Sequence, residues 1–230
     1  MHYHILGLFP QILDEYFRSS LLGKARQSGL VGFTYHQLRD WALNKHHAVD
    51  DKPYGGGAGM VFLPDVVCAA VRDIKQMYSA EHVVLTSPAG HLLTPDKAKA
   101  LSQKKSILFL CGRYEGVDQR AIDLVVDEEL SIGDYVLSGG ELASGVMIDV
   151  ISRYLPGVVG KDQSVRLESH ENILLEHPHY TRPEEFEGLM VPEVLISGHH
   201  KNIAAWQEEQ AVLRTKERRN DLYQKFIRES

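Results

Sequence analysis

The sequence predicts an α/β domain with a mostly parallel sheet flanked by helices, followed by a small helical unit at the C-terminal end. Three observations carry that reading. Short apolar runs alternate with segments of helical spacing over roughly the first 160 residues, the pattern of strands joined by crossover helices. Three glycine-bearing loops stand in succession at the carboxyl ends of apolar runs. After a polar, irregular stretch at 161–171, the periodic segments are helical. The expected organisation is therefore an α/β domain at 1–160, a flexible linker at 161–171 and a helical domain at 172–230.

The elements follow in order. Residues 4–9 read as a strand stopped by Pro10, and 11–29 as a helix through Ile12, Tyr16 and the Leu21-Leu22 pair. Residues 31–38 form a second strand. A helix at 66–78 is followed by a strand at 83–86 and a helix at 95–102, whose Pro95 sits in the first turn where a missing N–H costs nothing. Residues 107–111 are a strand, 121–126 and 135–137 continue the alternation, and 143–154 is a helix. In the C-terminal unit, 202–213 presents Ile203, Trp206, Gln210 and Leu213 on one helix face, and 217–228 adds Leu222 and Phe226.

With 230 residues, 43% of them hydrophobic and 24% charged, the chain has the composition of a soluble globular protein with a sizeable core. No apolar run approaches the roughly 20 residues that span a bilayer, and no basic segment leads into an apolar one at the start. The expectation is a cytoplasmic protein without a membrane partner. Cys68 and Cys111 are the only cysteines, so a disulfide framework and a structural zinc site lack support, and each reads as a buried thiol. His46-His47 and His199-His200 are adjacent pairs, which do not share a helix face, so no metal site is predicted. The net charge of −6 argues by itself against a large nucleic-acid surface, but the charge is unevenly spread. Residues 111–150 hold nine acidic and two basic side chains, whereas 201–230 hold seven basic and five acidic. An acidic centre suits a cationic ligand, and a basic tail suits a polyanion.

Residues 131–141 read Ser-Ile-Gly-Asp-Tyr-Val-Leu-Ser-Gly-Gly-Glu. The spacing fits a tight turn between two strands. It fits equally a pocket wall whose glycines let a flat heterocycle reach backbone N–H and C=O groups. Pro53-Tyr-Gly-Gly-Gly-Ala-Gly-Met60 lacks the Gly-Lys-Ser/Thr ending of a phosphate-binding loop, and no GxGxxG follows a strand. It reads either as a flexible loop or as a place of close approach by something bulky. Thr86-Ser-Pro-Ala-Gly90 and Gly112-Arg-Tyr-Glu-Gly116 each follow an apolar strand, and with 131–141 they point to one shared pocket, because ligands of open α/β sheets bind at the carboxyl edge.

The stretches Pro53-Tyr-Gly-Gly-Gly-Ala-Gly-Met60, Ser87-Pro-Ala-Gly90, Cys111-Gly-Arg-Tyr-Glu-Gly-Val-Asp118, 131–141, Ile148-Asp-Val-Ile-Ser-Arg153, Pro178-His-Tyr-Thr-Arg-Pro183 and Val191-Pro-Glu-Val-Leu-Ile-Ser-Gly198 together resemble the bacterial tRNA (guanine-N1)-methyltransferases. The resemblance runs from Phe9-Pro10 to Arg218-Arg219. It implies a trefoil-knotted α/β fold of the SPOUT class, an exception to the rule that chains avoid threading loops. It implies S-adenosyl-L-methionine as methyl donor, guanosine 37 of tRNA as target, and a homodimer whose tRNA site draws on both subunits. A divalent cation is left open. By matching motif positions, the donor would be held around Ser87, Pro88, Gly112, Tyr114, Glu115, Ile132, Gly133, Tyr135, Leu137, Gly139 and Gly140. A bulky substitution at Gly140 is then expected to weaken donor binding before it unfolds the protein.

Methylation at guanine N1 needs a base for the N1 proton and a cation for the charge that develops toward O6. The matched positions are Glu168 as base and Arg153 as cation, an arginine being permanently charged with several donors in one plane. The chain departs from the family pattern in reading Leu167-Glu168-Ser169-His170 where Glu-Asp-Ser-Phe is usual, and in carrying Glu176, Ala89 and Ala143 for an aspartate, a glutamine and a proline. Asp134 and Glu115 are reserve candidates for the base, or for balancing the donor's sulfonium charge. A tRNA-binding module that kept the fold without catalysis, and a related knotted methyltransferase with another RNA target, are the alternatives. Arg182, Lys201, Arg214, Lys216, Arg218 and Arg219 are candidates for phosphate contacts or simply solvated charges.

Overall fold

The computed structural model describes residues 1–43, 45–159, 169 and 173–229. Two compact units divide the chain, Met1–Gly160 and Lys161–Ser230. In the first, the strands are β1 (His2–Gly7), β2 (Gly32–Gln37), a short antiparallel pair β3 (Asp50–Asp51) and β4 (Val61–Phe62), then β5 (His82–Leu92), β6 (Ser106–Cys111) and β7 (Glu128–Ser131). The helices are α1 (Asp14–Arg18), α2 (Ser20–Gln27), α3 (Pro64–Tyr78), α4 (Pro95–Ser102), α5 (Gln119–Val125) and α6 (Gly140–Arg153). Five strands make one sheet in the order β2-β1-β6-β5-β7, and each neighbouring pair runs parallel. The predicted α/β class with a parallel sheet between helices is what the chain forms.

Strand β6 explains the layering. All six of its residues are buried, as expected for a central parallel strand covered on both faces. Leu108 and Leu110 point to the layer of α3 and α5, and Ile107, Phe109 and Cys111 to the layer of α1, α2, α4 and α6. Each such aliphatic or phenyl side chain contributes about 1.5–3 kcal/mol by burial. The chain leaves β5 toward α4 on one face and leaves β6 toward α5 on the other. That divergence opens a crevice at the carboxyl ends of the two strands.

Several elements differ from their sequence expectation. Residues 11–29 are not one helix. A 3-10 turn at Pro10–Leu13 leads into α1, the chain extends at Ser19, and α2 begins anew. Gly23 permits this break, since a Cβ there would stand 2.2 Å from the Arg18 carbonyl oxygen. Strand β5 runs past Thr86 to Leu92, with Thr86 and His91 both opposite Leu130, so residues 87–90 are pushed out of register. Residues 135–137 carry no strand. The last strand of the five-stranded sheet is β7, and Ser131 Oγ ends it by accepting from Gly133 N–H and donating to Gly133 C=O.

In the second unit, helices α7 (Glu193–Ile196), α8 (His200–Arg218) and α9 (Asn220–Glu229) accompany a hairpin of β8 (Glu185–Phe186) and β9 (Leu189–Met190) that the helical expectation did not include. Its two-residue loop, Glu187-Gly188, has positive φ at both positions, the geometry that matches strand twist. Leu213, expected on the inward face of α8, is exposed, and Thr215 is buried in its place, where its Oγ1 accepts from Leu175 N–H at 2.9 Å. The expected linker at 161–171 lies outside the described residues except for Ser169.

Candidate functional site

A cavity of about 360 Å³ occupies the crevice at the carboxyl ends of β5, β6 and β7. Its walls are the out-of-register segment after Thr86, the loop that follows Cys111, and the loop that joins β7 to α6. Of the positions expected to hold the donor, Ser87, Pro88, Gly112, Tyr114, Glu115, Ile132, Gly133, Tyr135, Leu137, Gly139 and Gly140 all line it. The apolar parts come from Leu85, Ile122, Leu130, Val136 and Ala143, and further carboxylate-bearing and hydroxyl-bearing positions from Glu129 and Ser138.

Backbone chemistry shapes each wall. Gly140 N–H donates to Gly112 C=O at 2.8 Å, which draws the start of α6 against the end of β6. Tyr114 adopts φ +59 and Gly116 φ +108, and Gly116 N–H closes the turn onto Arg113 C=O at 3.0 Å. This turn is stitched to the segment after the glycine-rich loop, with Glu115 N–H donating to Met60 C=O at 3.0 Å and Phe62 N–H to Gly116 C=O at 2.9 Å. The glycines at 55, 56, 57 and 59 all have positive φ, so that loop needs them for its path. It stands beside the cavity wall, where the Glu115 side chain lies over Gly59. Tyr135 and Val136 are exposed, Val136 to 82%, although their apolar character resembles a strand. The Tyr135 hydroxyl folds back to donate to Ile132 C=O.

Beneath the cavity, Cys111 is fully buried, and burial pushes its thiol up to about 12, against the smaller pull of the Ser144 hydroxyl. It stays a neutral thiol, as the sequence suggested. Arg113 pairs with Glu141 through Nε at 3.0 and 3.1 Å, a contact the sequence reading did not anticipate. Its signal was present: Arg113 lies inside one glycine motif and Glu141 ends another.

Other expected residues lie elsewhere. Arg153 is the last residue of α6, whose first turn walls the cavity as far as Ala143, so ten residues of helix, about 15 Å, separate the two. Asp134 is exposed on the β7–α6 loop and does not line the cavity. Glu168 lies outside the described residues. Among the basic candidates, Arg219 pairs with Asp221 at 2.6 Å and Lys216 lies over the Tyr223 ring, whereas Arg182, Lys201 and Arg218 are exposed. Among the described residues, no group of three or more His, Cys, Asp and Glu side chains is placed to hold a metal ion, and no helix is long and apolar enough to cross a membrane.

The chain is similar to proteins of known family over nearly its whole length. Residues 1–225 match the family model described as tRNA (Guanine-1)-methyltransferase TrmD. A tRNA (guanine-N(1)-)-methyltransferase from Clostridioides difficile is 47% identical over 227 residues, covering 98% of each chain. Those of Lachnospira eligens and Pelotomaculum thermopropionicum are 44% and 48% identical, covering 99% and 96% of this chain and 97% and 89% of theirs. With a parallel sheet, a cavity at its carboxyl edge and this full-length match, the chain belongs to the tRNA (guanine-1)-methyltransferase family.

Proposed function

We propose that the protein transfers a methyl group from S-adenosyl-L-methionine to N1 of guanosine 37 in tRNA. The observation that carries this reading is the convergence of all eleven motif-matched positions on one cavity at the carboxyl edge of the sheet. The similar proteins bear names that specify tRNA and guanine N1.

The residues present fit the donor. A cavity of about 360 Å³ is within the range of small-molecule sites. At Gly112, Gly133, Gly139 and Gly140 the wall is bare main chain, which suits the edge of an adenine; Glu115 and Glu129 bring negative charge to a cationic ligand, and Arg113, which also lines the cavity, has its charge paired with Glu141. When bound, S-adenosylmethionine supplies the methyl as an electrophile, the sulfur keeping the electron pair of the bond that breaks. Glu168 takes the N1 proton of the guanine, and Arg153 holds the charge that grows on O6. Because Arg153 stands at the far end of α6 from the cavity of its own chain, the reaction calls for a homodimer in which the second copy brings its Arg153 to this cavity. The C-terminal unit, with Lys201, Arg214, Lys216 and Arg218, is the part suited to tRNA phosphates. The SPOUT trefoil knot would be formed by the chain around the β7–α6 loop.

Incubation of the purified protein with unmodified tRNA and S-adenosylmethionine, followed by nucleoside mapping, tests the reading. N1-methylguanosine at position 37 is expected, and a methyl group on a ribose or at another position overturns it. Glu168→Gln should lower turnover by about 100-fold or more, the usual effect of losing a general base, with donor affinity little changed. Near-normal turnover in that variant moves the base to another carboxylate.

A further inference from the structure

Glu141 is the charged side chain most deeply enclosed near the cavity, at 0% exposure, yet it does not line it. Its Oε1 accepts from Phe9 N–H at 3.1 Å and from Arg113 Nε at 3.0 Å, and its Oε2 accepts from the same Nε at 3.1 Å. The Arg113 guanidinium in turn lies 4.7 Å from the centre of the Phe9 ring. One carboxylate therefore joins three segments: the chain just past β1, the turn after β6, and the first turn of α6. The glycines around it leave it room. A Cβ on Gly139 would stand 2.6 Å from Oε2 and 2.8 Å from Arg113 Nε, and one on Gly7 would stand 3.2 Å from Oε1.

A buried carboxylate is costly unless its oxygens are satisfied by charge-assisted donors, and these are. What the pair holds in place is a cavity wall. Arg113 opens the turn that Gly116 closes, Tyr114 and Glu115 lie within it, and Arg113 pairs across to Gly139 on the opposite wall. Resting on the donor reading above, we infer that Glu141 is a positioning residue for the methyl donor. It acts through Arg113, clamping the turn after β6 against Gly139 so that the backbone groups facing the cavity are set before the donor arrives.

The test is a double-mutant cycle read by calorimetric titration of S-adenosylhomocysteine, which requires no RNA. Glu141→Gln and Arg113→Gln should each weaken binding by about tenfold, the scale of one charge-assisted hydrogen bond. The double variant should lose little more than either alone, because both act through one contact. KM for S-adenosylmethionine should rise in parallel while KM for tRNA stays within about twofold. Ile74→Val, in the core on the opposite face of the sheet, supplies a destabilised control with unchanged donor affinity. Because Arg113 itself lines the cavity, should Glu141→Gln fail to fold, Glu141→Asp, which keeps the charge but draws the carboxylate back from Arg113, takes its place in the cycle. Lower melting temperature with unchanged affinity overturns the inference, as do fully additive losses. Wild-type protein that binds no S-adenosylhomocysteine overturns the donor reading together with it.

Discussion

Gly140 has no side chain because the fold has no room for one. A Cβ there would stand 2.0 Å from Thr86 Oγ1, 3.0 Å from Cys111 Cα and 3.1 Å from Gly112 N. Those neighbours are the ends of β5 and β6, so the residue sets how closely α6 approaches the sheet. A substitution at Gly140, expected from the sequence to weaken donor binding before it affects folding, is on these distances expected to cost stability even without donor. Gly140→Ala should cost about 1–3 kcal/mol of stability through overpacking, readable as a lowered urea midpoint without donor present. Combined with Thr86→Ala, which removes the nearest atom, the loss should be smaller than the sum of the two single losses. Strict additivity would show that Thr86 is not what Gly140 avoids. Gly133, with φ +145, is a different case, since its backbone conformation excludes a side chain whatever the space.

Among the elements, β1 and β2 carry a feature that no sequence motif announced. His2 and His4 on β1 and His36 on β2 share the sheet face that α3 covers, with His4 Nδ1 and His36 Nε2 3.0 Å apart. Tyr78 of α3 packs on both His4 and His36, Trp41 lies at the edge of His36, Asp40 is nearby, and Thr34 bonds His2. Burial holds all three imidazoles below 6.5, helped by the charge of neighbouring histidines at His4 and His36 and by the terminal ammonium at His2. Asp40 pulls His36 the other way by less. Below pH 6.5 the unfolded chain then binds protons that the folded chain does not. Stability is complete above that value and declines as pH falls toward the native pKa values, by at most about 1.4 kcal/mol per pH unit for each of the buried His4 and His36. Urea unfolding at pH 7.5 and 5.5 should show the loss, and His4→Phe should flatten it. A slope that the substitution leaves untouched would assign the acid sensitivity to other groups. The apolar residues 135–137 look like a strand, but they are exposed cavity wall, and periodicity reports apolar character without saying what covers it.

For the whole molecule, α6 presents a cavity at one end and Arg153 at the other. If two copies complete each other's sites, defects at the two ends should complement. Leu137→Arg blocks the cavity and Arg153→Ala removes the cation, and each alone should be nearly inactive. Mixed after co-refolding, half of the dimers pair one of each, and one of their two sites has an intact cavity facing an intact Arg153. About a quarter of wild-type turnover should return, as two-fold symmetry requires. Absence of any recovery would place cavity and arginine in the same subunit's reaction.

By itself the sequence determined the class of the fold, the order of most strands and helices, and the motif positions that converge on the cavity. Alternation, proline and glycine are local signals, and a carboxyl-edge loop is recognisable from the strand that precedes it. Only the tertiary structure decided that Gly140 is a packing residue, that Glu141 and Arg113 join the walls, that the buried histidines of β1 and β2 face one another, and that Arg153 is remote from its own chain's cavity. Each of these depends on distances between segments far apart in sequence. Such distances are set by strand order and close packing, which residue spacing along the chain does not encode.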